Sequence, residues 1–271
     1  MSDMNGNFDL GLQGRVTVVT GAGQGLGETT CELLGQLGAR VVALDINEAA
    51  AQAVVDRLEK DGVEALALAC DVADESSVTA AADATVARFG TCDGLVNNAG
   101  VISWAPLEDL DVAEWDRVMA VNARGSFLCA KHFGRAMLAQ ERGSIVNIAS
   151  VAGTVPEPSA GAYAASKAAA IMLGRQIATE WGGRGVRANT VSPGIMRTPM
   201  AEAFNSDPDA YARRLEMVAV HRIGTPLEVA QVIAFLLSDA SSYLTAQNVE
   251  VDGGLMQMLI KVLPRPGVPQ R

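Results

Sequence analysis

The chain has 271 residues, 49% hydrophobic, 19% charged and 4% aromatic, with 27 glycines, so it can bury a full core and is too apolar for a disordered, collagenous or coiled-coil protein. Lys and Arg number 21 against 31 Asp and Glu; the net charge of -10 has the wrong sign for gripping a phosphate backbone, and no nucleic-acid partner is expected. No apolar run approaches the roughly 18 residues of a membrane helix, and the first residues carry no cationic stretch ahead of an apolar one, so a cytoplasmic protein without membrane contact is expected.

Seven short β-branched or apolar runs follow one another along the chain, at 15–20, 40–45, 65–71, 94–97, 143–150, 186–192 and 248–252. Between them lie longer segments with apolar residues at three-and-four spacing, which predict helices, as at 25–37, 48–60 and 76–88. Strand and helix in alternation predict a parallel sheet. Strands of nearly continuous apolar character need cover on both faces, so the expected architecture is an α/β, doubly wound, seven-stranded parallel sheet with helices on each side. No linker interrupts the rhythm, and residues 1–271 read as one domain with an extension at 255–271.

Cys31, Cys70, Cys92 and Cys129 are scattered without C-x-x-C pairs, a usage that suits a reducing compartment. His132 and His221 lie far apart without a Cys or Glu at ligand spacing, so no metal site is expected.

The first predicted strand ends at Thr20 and runs into Gly21-Ala22-Gly23-Gln24-Gly25-Leu26-Gly27, from which a helix opens. Glycine at such a turn lets a pyrophosphate approach the backbone and the free amides of a helix N-terminus. The spacing is G-x-x-x-G-x-G rather than G-x-G-x-x-G. Asp45 closes the second strand 18 residues after Gly27, near the position of a carboxylate that accepts hydrogen bonds from an adenosine ribose. Gln24 and Ile46 offer no cation to neutralise a 2′-phosphate, so NAD is expected rather than NADP.

Tyr163 and Lys167 stand at i and i+4 of a helical segment and project from one face. A cation near a phenol stabilises phenolate and should lower its pKa toward the range of proton exchange. Ser150 ends the fifth strand 13 residues before Tyr163, at the sheet edge where this architecture binds ligands, and its hydroxyl can bond a substrate oxygen.

With these features in place the chain resembles the short-chain dehydrogenase/reductase family from Gly14 to Gly254, with a Rossmann-type fold. TGAGQGLG at 20–27, the acid at 45, Asp71-Val72, NNAG at 97–100, Asn122, Ser150, Y-x-x-x-K at 163–167 and Pro193-Gly194 stand in that family's order. The resemblance implies Tyr163 as general acid/base, Lys167 on the nicotinamide ribose, Ser150 orienting the reacting oxygen, and Asn122 in a helix, holding a water that links Lys167 to solvent. It further implies a dinucleotide lined by Gly21, Gln24, Gly25, Leu26, Gly27 and Asp45, with Asp71 and Val72 at the adenine. Asn98, Ala99, Gly100, Pro193 and Gly194 would line the cofactor, and Ile195 and Thr198 its carboxamide.

The expected reaction is hydride transfer between NAD(H) and a secondary alcohol or ketone. The pocket implied by the resemblance runs along 101–104, 151–159 and 195–214, mostly apolar, with Glu157, Arg197 and Glu202 as charges; it suits cyclic alcohols, polyols or 3-oxoacyl thioesters. An NADP-dependent 3-oxoacyl reductase and a noncatalytic dinucleotide-binding sensor are the alternatives. The apolar tail from Leu255 to Leu263 needs a surface to cover it, and the resemblance implies a homotetramer paired through long helices, here 111–140 and 160–181.

Overall fold

The computed structural model describes residues 10–197 and 207–258. Its centre is a parallel sheet of β1 (Val16–Thr20), β2 (Arg40–Asp45), β3 (Ala65–Ala69), β4 (Gly94–Asn97), β5 (Gly143–Ile148), β6 (Val186–Pro193) and β7 (Asn248–Val251), in the order β3-β2-β1-β4-β5-β6-β7. The strand order reverses beside β1, which pairs with both β2 and β4. Two chain paths diverge there, leaving a crevice at the carboxyl ends of the strands, where such sheets bind ligands.

The helices are α1 (Gly25–Gln36), α2 (Glu48–Lys60), α3 (Glu75–Phe89), α4 (Val112–Met119), α5 (Gly125–Ala139), α6 (Gly161–Trp181), α7 (Pro208–Glu216) and α8 (Pro226–Leu237). They build two cores, one on each face of the sheet. Val19, Val41, Val146 and Val191 pack with α1, α2 and α8 on one side, through residues such as Leu34, Val54 and Ile233. Val16, Val18, Leu95 and Ile145 pack with α3, α5 and α6 on the other, through Val78, Phe133 and Ile177. Each fully buried Val, Leu, Ile or Phe contributes on the order of 1.5–3 kcal/mol, so the side chains that clad both faces also fix the register of the strands.

The doubly wound sheet of seven parallel strands expected from the sequence is present, with local differences. β3 stops at Ala69 and β5 at Ile148, so Asp71 and Ser150 lie just beyond their strands. The single helix expected over 111–140 is interrupted: Ala120–Arg124 forms a turn of π-helix between α4 and α5. Apolar periodicity does not register one inserted residue, and such π turns cluster at functional sites. The four cysteines are buried and free. No helix among the described residues is long and apolar enough to cross a membrane, and none of their His, Cys, Asp and Glu gather into a metal-binding group. Of the expected extension, Leu255–Gln257 form a short turn and the residues from 259 onward lie outside the described residues.

Candidate active site

The predicted site residues arrive at the crevice from successive strands. β1 delivers the glycine-rich turn. Its shape leaves no room for side chains: a Cβ on Gly27 would stand 2.1 Å from the Gly21 carbonyl oxygen, and one on Gly21 would stand 2.9 Å from the Ala99 Cα. Gly21 and Gly25 have φ near +60°, which glycine alone adopts without cost. Gln24, the residue that precedes α1, makes no side-chain cap, whereas Asn47, Asp74 and Asp111 cap α2, α3 and α4. The α1 N-terminus thus keeps the amides that its counterparts satisfy internally, and an anionic diphosphate fits there.

Asp45 at the end of β2 faces this turn. One carboxylate oxygen accepts from the Gly23 amide and the other from the Asn47 amide, each at 2.9 Å. Asp71 accepts from the Ala73 amide at 2.9 Å, and the neighbouring Val72 is buried where a Cβ on Gly125 would meet it at 2.8 Å. The end of β3 is therefore clamped against the start of α5.

From β4, Asn98 binds the glycine turn directly. Its side-chain amide donates to the Thr20 and Gly21 carbonyls at 2.9 and 3.0 Å, while the Asn98 and Ala99 amides both donate to the Thr20 hydroxyl at 3.0 Å. Gly100 passes so near the proton-transfer residues that a Cβ there would lie 3.3 Å from Lys167 Nζ and 3.4 Å from Asn122 Oδ1. Beyond β6, Gly194 is pressed against Asp252, and Ile195 pairs with Gly224 through the amide of Gly224 at 3.0 Å. Thr198 lies outside the described residues.

Ser150, Tyr163 and Lys167 come together. The Ser150 hydroxyl, which accepts from the Ala152 amide at 3.1 Å, lies close enough to the Tyr163 phenol to favour its charged form, and Lys167 Nζ lies 5.5 Å from the centre of the phenol ring. Lys167 is buried and donates to the Ile148 carbonyl at 2.8 Å. The expected lowering of the phenol pKa is not what the structure has. Burial pushes Tyr163 above its ordinary value, Ser150 pulls it back, and the negative charge of Glu157 raises it further. Burial acts on the ammonium as well, bringing Lys167 down to about 8. Helical spacing places two side chains as neighbours and leaves out the cost of withdrawing both from water, which here acts most strongly on each.

Asn122 sits in the π turn, buried. Its side-chain oxygen accepts from the Val101 amide at 2.8 Å, and its amide donates to the Val101 carbonyl and the Ser166 hydroxyl, both at 2.9 Å. Ser166 in turn donates to the Tyr163 carbonyl at 2.7 Å. The Asn122 side chain ties the chain after β4 to α6, and its main-chain oxygen accepts from Ser126 at 2.8 Å. Thr20 and Ser166 were not singled out in the sequence, although both stand inside its motifs. A hydroxyl at the last strand position before a glycine turn, and one inside the Y-x-x-x-K stretch, were the available signals.

A glycine turn at the switch point of a doubly wound sheet, with a partly buried Ser and Tyr and a buried Lys beside it, defines a dinucleotide-dependent oxidoreductase site. A family model described as enoyl-(acyl carrier protein) reductase matches residues 21–256. The D-threitol dehydrogenase of Mycolicibacterium smegmatis is 40% identical over 252 residues, which is 93% of this chain and 96% of that protein. The cis-4-hydroxycyclohexanecarboxylate dehydrogenase of Sinomonas cyclohexanicum is 42% identical over 241 residues, 89% of this chain and 96% of that protein. Among solved structures, a gluconate 5-dehydrogenase from Burkholderia cenocepacia in complex with NADP and tartrate superposes with a TM-score of 0.89 at 35% identity, covering 92% of this chain and 98% of the other. The chain belongs to the short-chain dehydrogenase/reductase family, whose cofactor is a nicotinamide dinucleotide.

Proposed function

We propose that the chain is a single-domain NAD(H)-dependent dehydrogenase of secondary alcohols, working in reverse as a ketone reductase. The observation that carries this reading is the convergence of Ser150, Tyr163 and Lys167 on one point of the crevice. A bound nicotinamide dinucleotide supplies the redox chemistry. The glycine turn, Asp45, Asp71, Val72, Asn98, Ala99, Gly100, Pro193, Gly194, Ile195 and Thr198 hold it. Tyr163 takes the proton of the reacting hydroxyl, Ser150 orients that oxygen, and Lys167 sets a positive charge on the phenol ring while binding the nicotinamide ribose. Asn122 fixes the chain around Lys167 and, through a water, joins it to solvent.

NAD is favoured by Asp45, whose carboxylate would repel a 2′-phosphate, and by Ile46 beside it, 73% exposed and uncharged. The NADP complex of the gluconate 5-dehydrogenase favours the second reading, an NADP-dependent enzyme. Fluorescence titration with NADH and NADPH decides between them: at least about tenfold tighter NADH binding is expected, and a reversed order establishes the second reading. Tyr163→Phe should lower kcat by about 100- to 10,000-fold with dinucleotide affinity kept, as for loss of a general base. Undiminished turnover would remove Tyr163 from the chemistry.

The exposed Phe127 of α5 and Met172 of α6, at 49% and 58%, support a homotetramer assembled through these helices. Four buried free thiols support a cytoplasmic location.

A further inference from the structure

The relatives include dehydrogenases of a neutral polyol and of a hydroxycarboxylate, so the substrate class must be sought in this chain's own residues. Beyond Ser150, a loop runs over 151–159 and re-enters the fold at α6, whose third residue is Tyr163. In its middle stands Pro156-Glu157-Pro158. Each proline fixes its own φ and drives the residue before it toward extended backbone, so Glu157 is held from both sides.

Hydrogen bonds complete the frame. The Gly153 and Val155 amides donate to the Ser150 and Val151 carbonyls at 2.9 and 3.0 Å, and the Ala160 amide donates to the Glu157 carbonyl at 3.2 Å. Ser159 adopts φ of 64°, a strained value for a residue with a side chain, and its carbonyl accepts from the Ala105 amide at 2.9 Å. The loop is thereby joined to the segment after β4 through the pairing of Ala105 with Ala160, and a Cβ on Gly161 would lie 3.0 Å from the exposed Leu107 side chain. Glu157 is the one charged residue of the loop. Glu157 is near enough to act on both the Tyr163 phenol and the Arg214 guanidinium of α7.

We propose that Glu157 selects the substrate: its carboxylate accepts hydrogen bonds from hydroxyls beside the reacting carbinol of a neutral polyol, and it repels a substrate that carries a carboxylate there. The assignment rests on Tyr163 marking the reacting hydroxyl. The phenol feels Glu157 as negative charge, and the Arg214 guanidinium acts on the same carboxylate. A carboxylate accepts charge-assisted hydrogen bonds from neighbouring hydroxyls, and an anionic substrate brought against it meets like charge.

The test is steady-state kinetics of the dinucleotide-loaded enzyme on a tetritol and on the aldonate of the same length and configuration. The unsubstituted enzyme should favour the tetritol by about 100-fold in kcat/KM, the value expected of one charge-assisted hydrogen bond plus repulsion of the wrong substrate. Glu157→Gln should lower kcat/KM for the tetritol about tenfold, chiefly through KM, and raise it for the aldonate about tenfold. Glu157→Lys, which reverses the charge, should make the aldonate the better substrate. A preference unchanged within about twofold in both variants, or an aldonate preference in the unsubstituted enzyme, overturns the assignment of Glu157. Dinucleotide binding with no turnover of any secondary alcohol overturns the catalytic reading instead, so the two failures are told apart.

Discussion

The two walls of the crevice are built on opposite rules. The glycine turn after β1 is shaped by the absence of side chains: a Cβ on Gly27 would meet backbone at 2.1 Å, and no rotamer change can relieve that contact. The loop after β5 is shaped by their presence, through two prolines, a left-handed Ser159 and a carboxylate held between them. The first wall offers amides to any diphosphate; the second offers one particular acceptor to one kind of substrate. Loops of the second kind are where different functions are mounted on one scaffold.

The comparison breaks most sharply at Gly27. Gly27→Val should abolish measurable NADH binding, an effect of about 1000-fold or more, because the turn must open to admit the side chain. Where this variant does not fold, Gly23→Ala provides the measurement, since its Cβ would meet the Ala50 and Asp45 side chains at 2.6 and 2.9 Å and only Asp45 can move aside. Fluorescence titration with circular dichroism as the folding control reads both. Unaltered NADH affinity in each variant would mean that the turn owes nothing to its missing side chains.

The same contrast explains what could be read in advance. The seven strands alternating with helices, the glycine turn, Asp45 and the Tyr163–Lys167 pair were legible because backbone geometry and helical spacing allow few alternatives there. The π turn at Asn122 was not, since one extra residue per turn leaves hydrophobic periodicity nearly unchanged. Nor was the Asn98 clasp on Thr20 and Gly21, which joins residues 77 and 78 positions apart. The direction of the Tyr163 shift was misread for a different reason. Spacing reports which charge lies near and says nothing of how far water has been excluded, and at Tyr163 and Lys167 exclusion acts most strongly.

Lys167 lies where the two walls meet, and its environment has a measurable cost. Burial lowers it from 10.5 to about 8, so below that pH the folded chain carries an ammonium that the unfolded chain would keep in water. Between about 8 and 10.5 the unfolded state binds more protons than the folded state, and stability gains from this group as pH rises; below that window the cost is constant, on the order of 3 kcal/mol. Lys167→Met should remove this rise and raise the neutral-pH melting temperature of the dinucleotide-free protein by a few degrees, even though the Ile148 carbonyl loses its donor. The difference between the two stability curves from pH 7 to 10.5 isolates the effect from that of other titrating groups. A constant difference across that range would show that Lys167 keeps its ordinary pKa, and with it that the crevice floor is wetter than its packing implies.

The smallest effect belongs to the loop's frame. Pro158→Ala restores freedom to Glu157 without touching its carboxylate, and replacing a compatible proline costs about 0.4–1 kcal/mol. If that ordering is what positions the acid, kcat/KM for the tetritol should fall about 2- to 5-fold through KM, less than in Glu157→Gln. NADH affinity should stay unchanged, because the glycine wall gets its shape from contacts with the segment after β4 and with Asp45. A parallel loss of NADH affinity would mean the two walls move as one body. A loss exceeding that of Glu157→Gln would mean that the prolines hold Ser150 and Tyr163 in place as well, since the loop begins at one and ends just before the other.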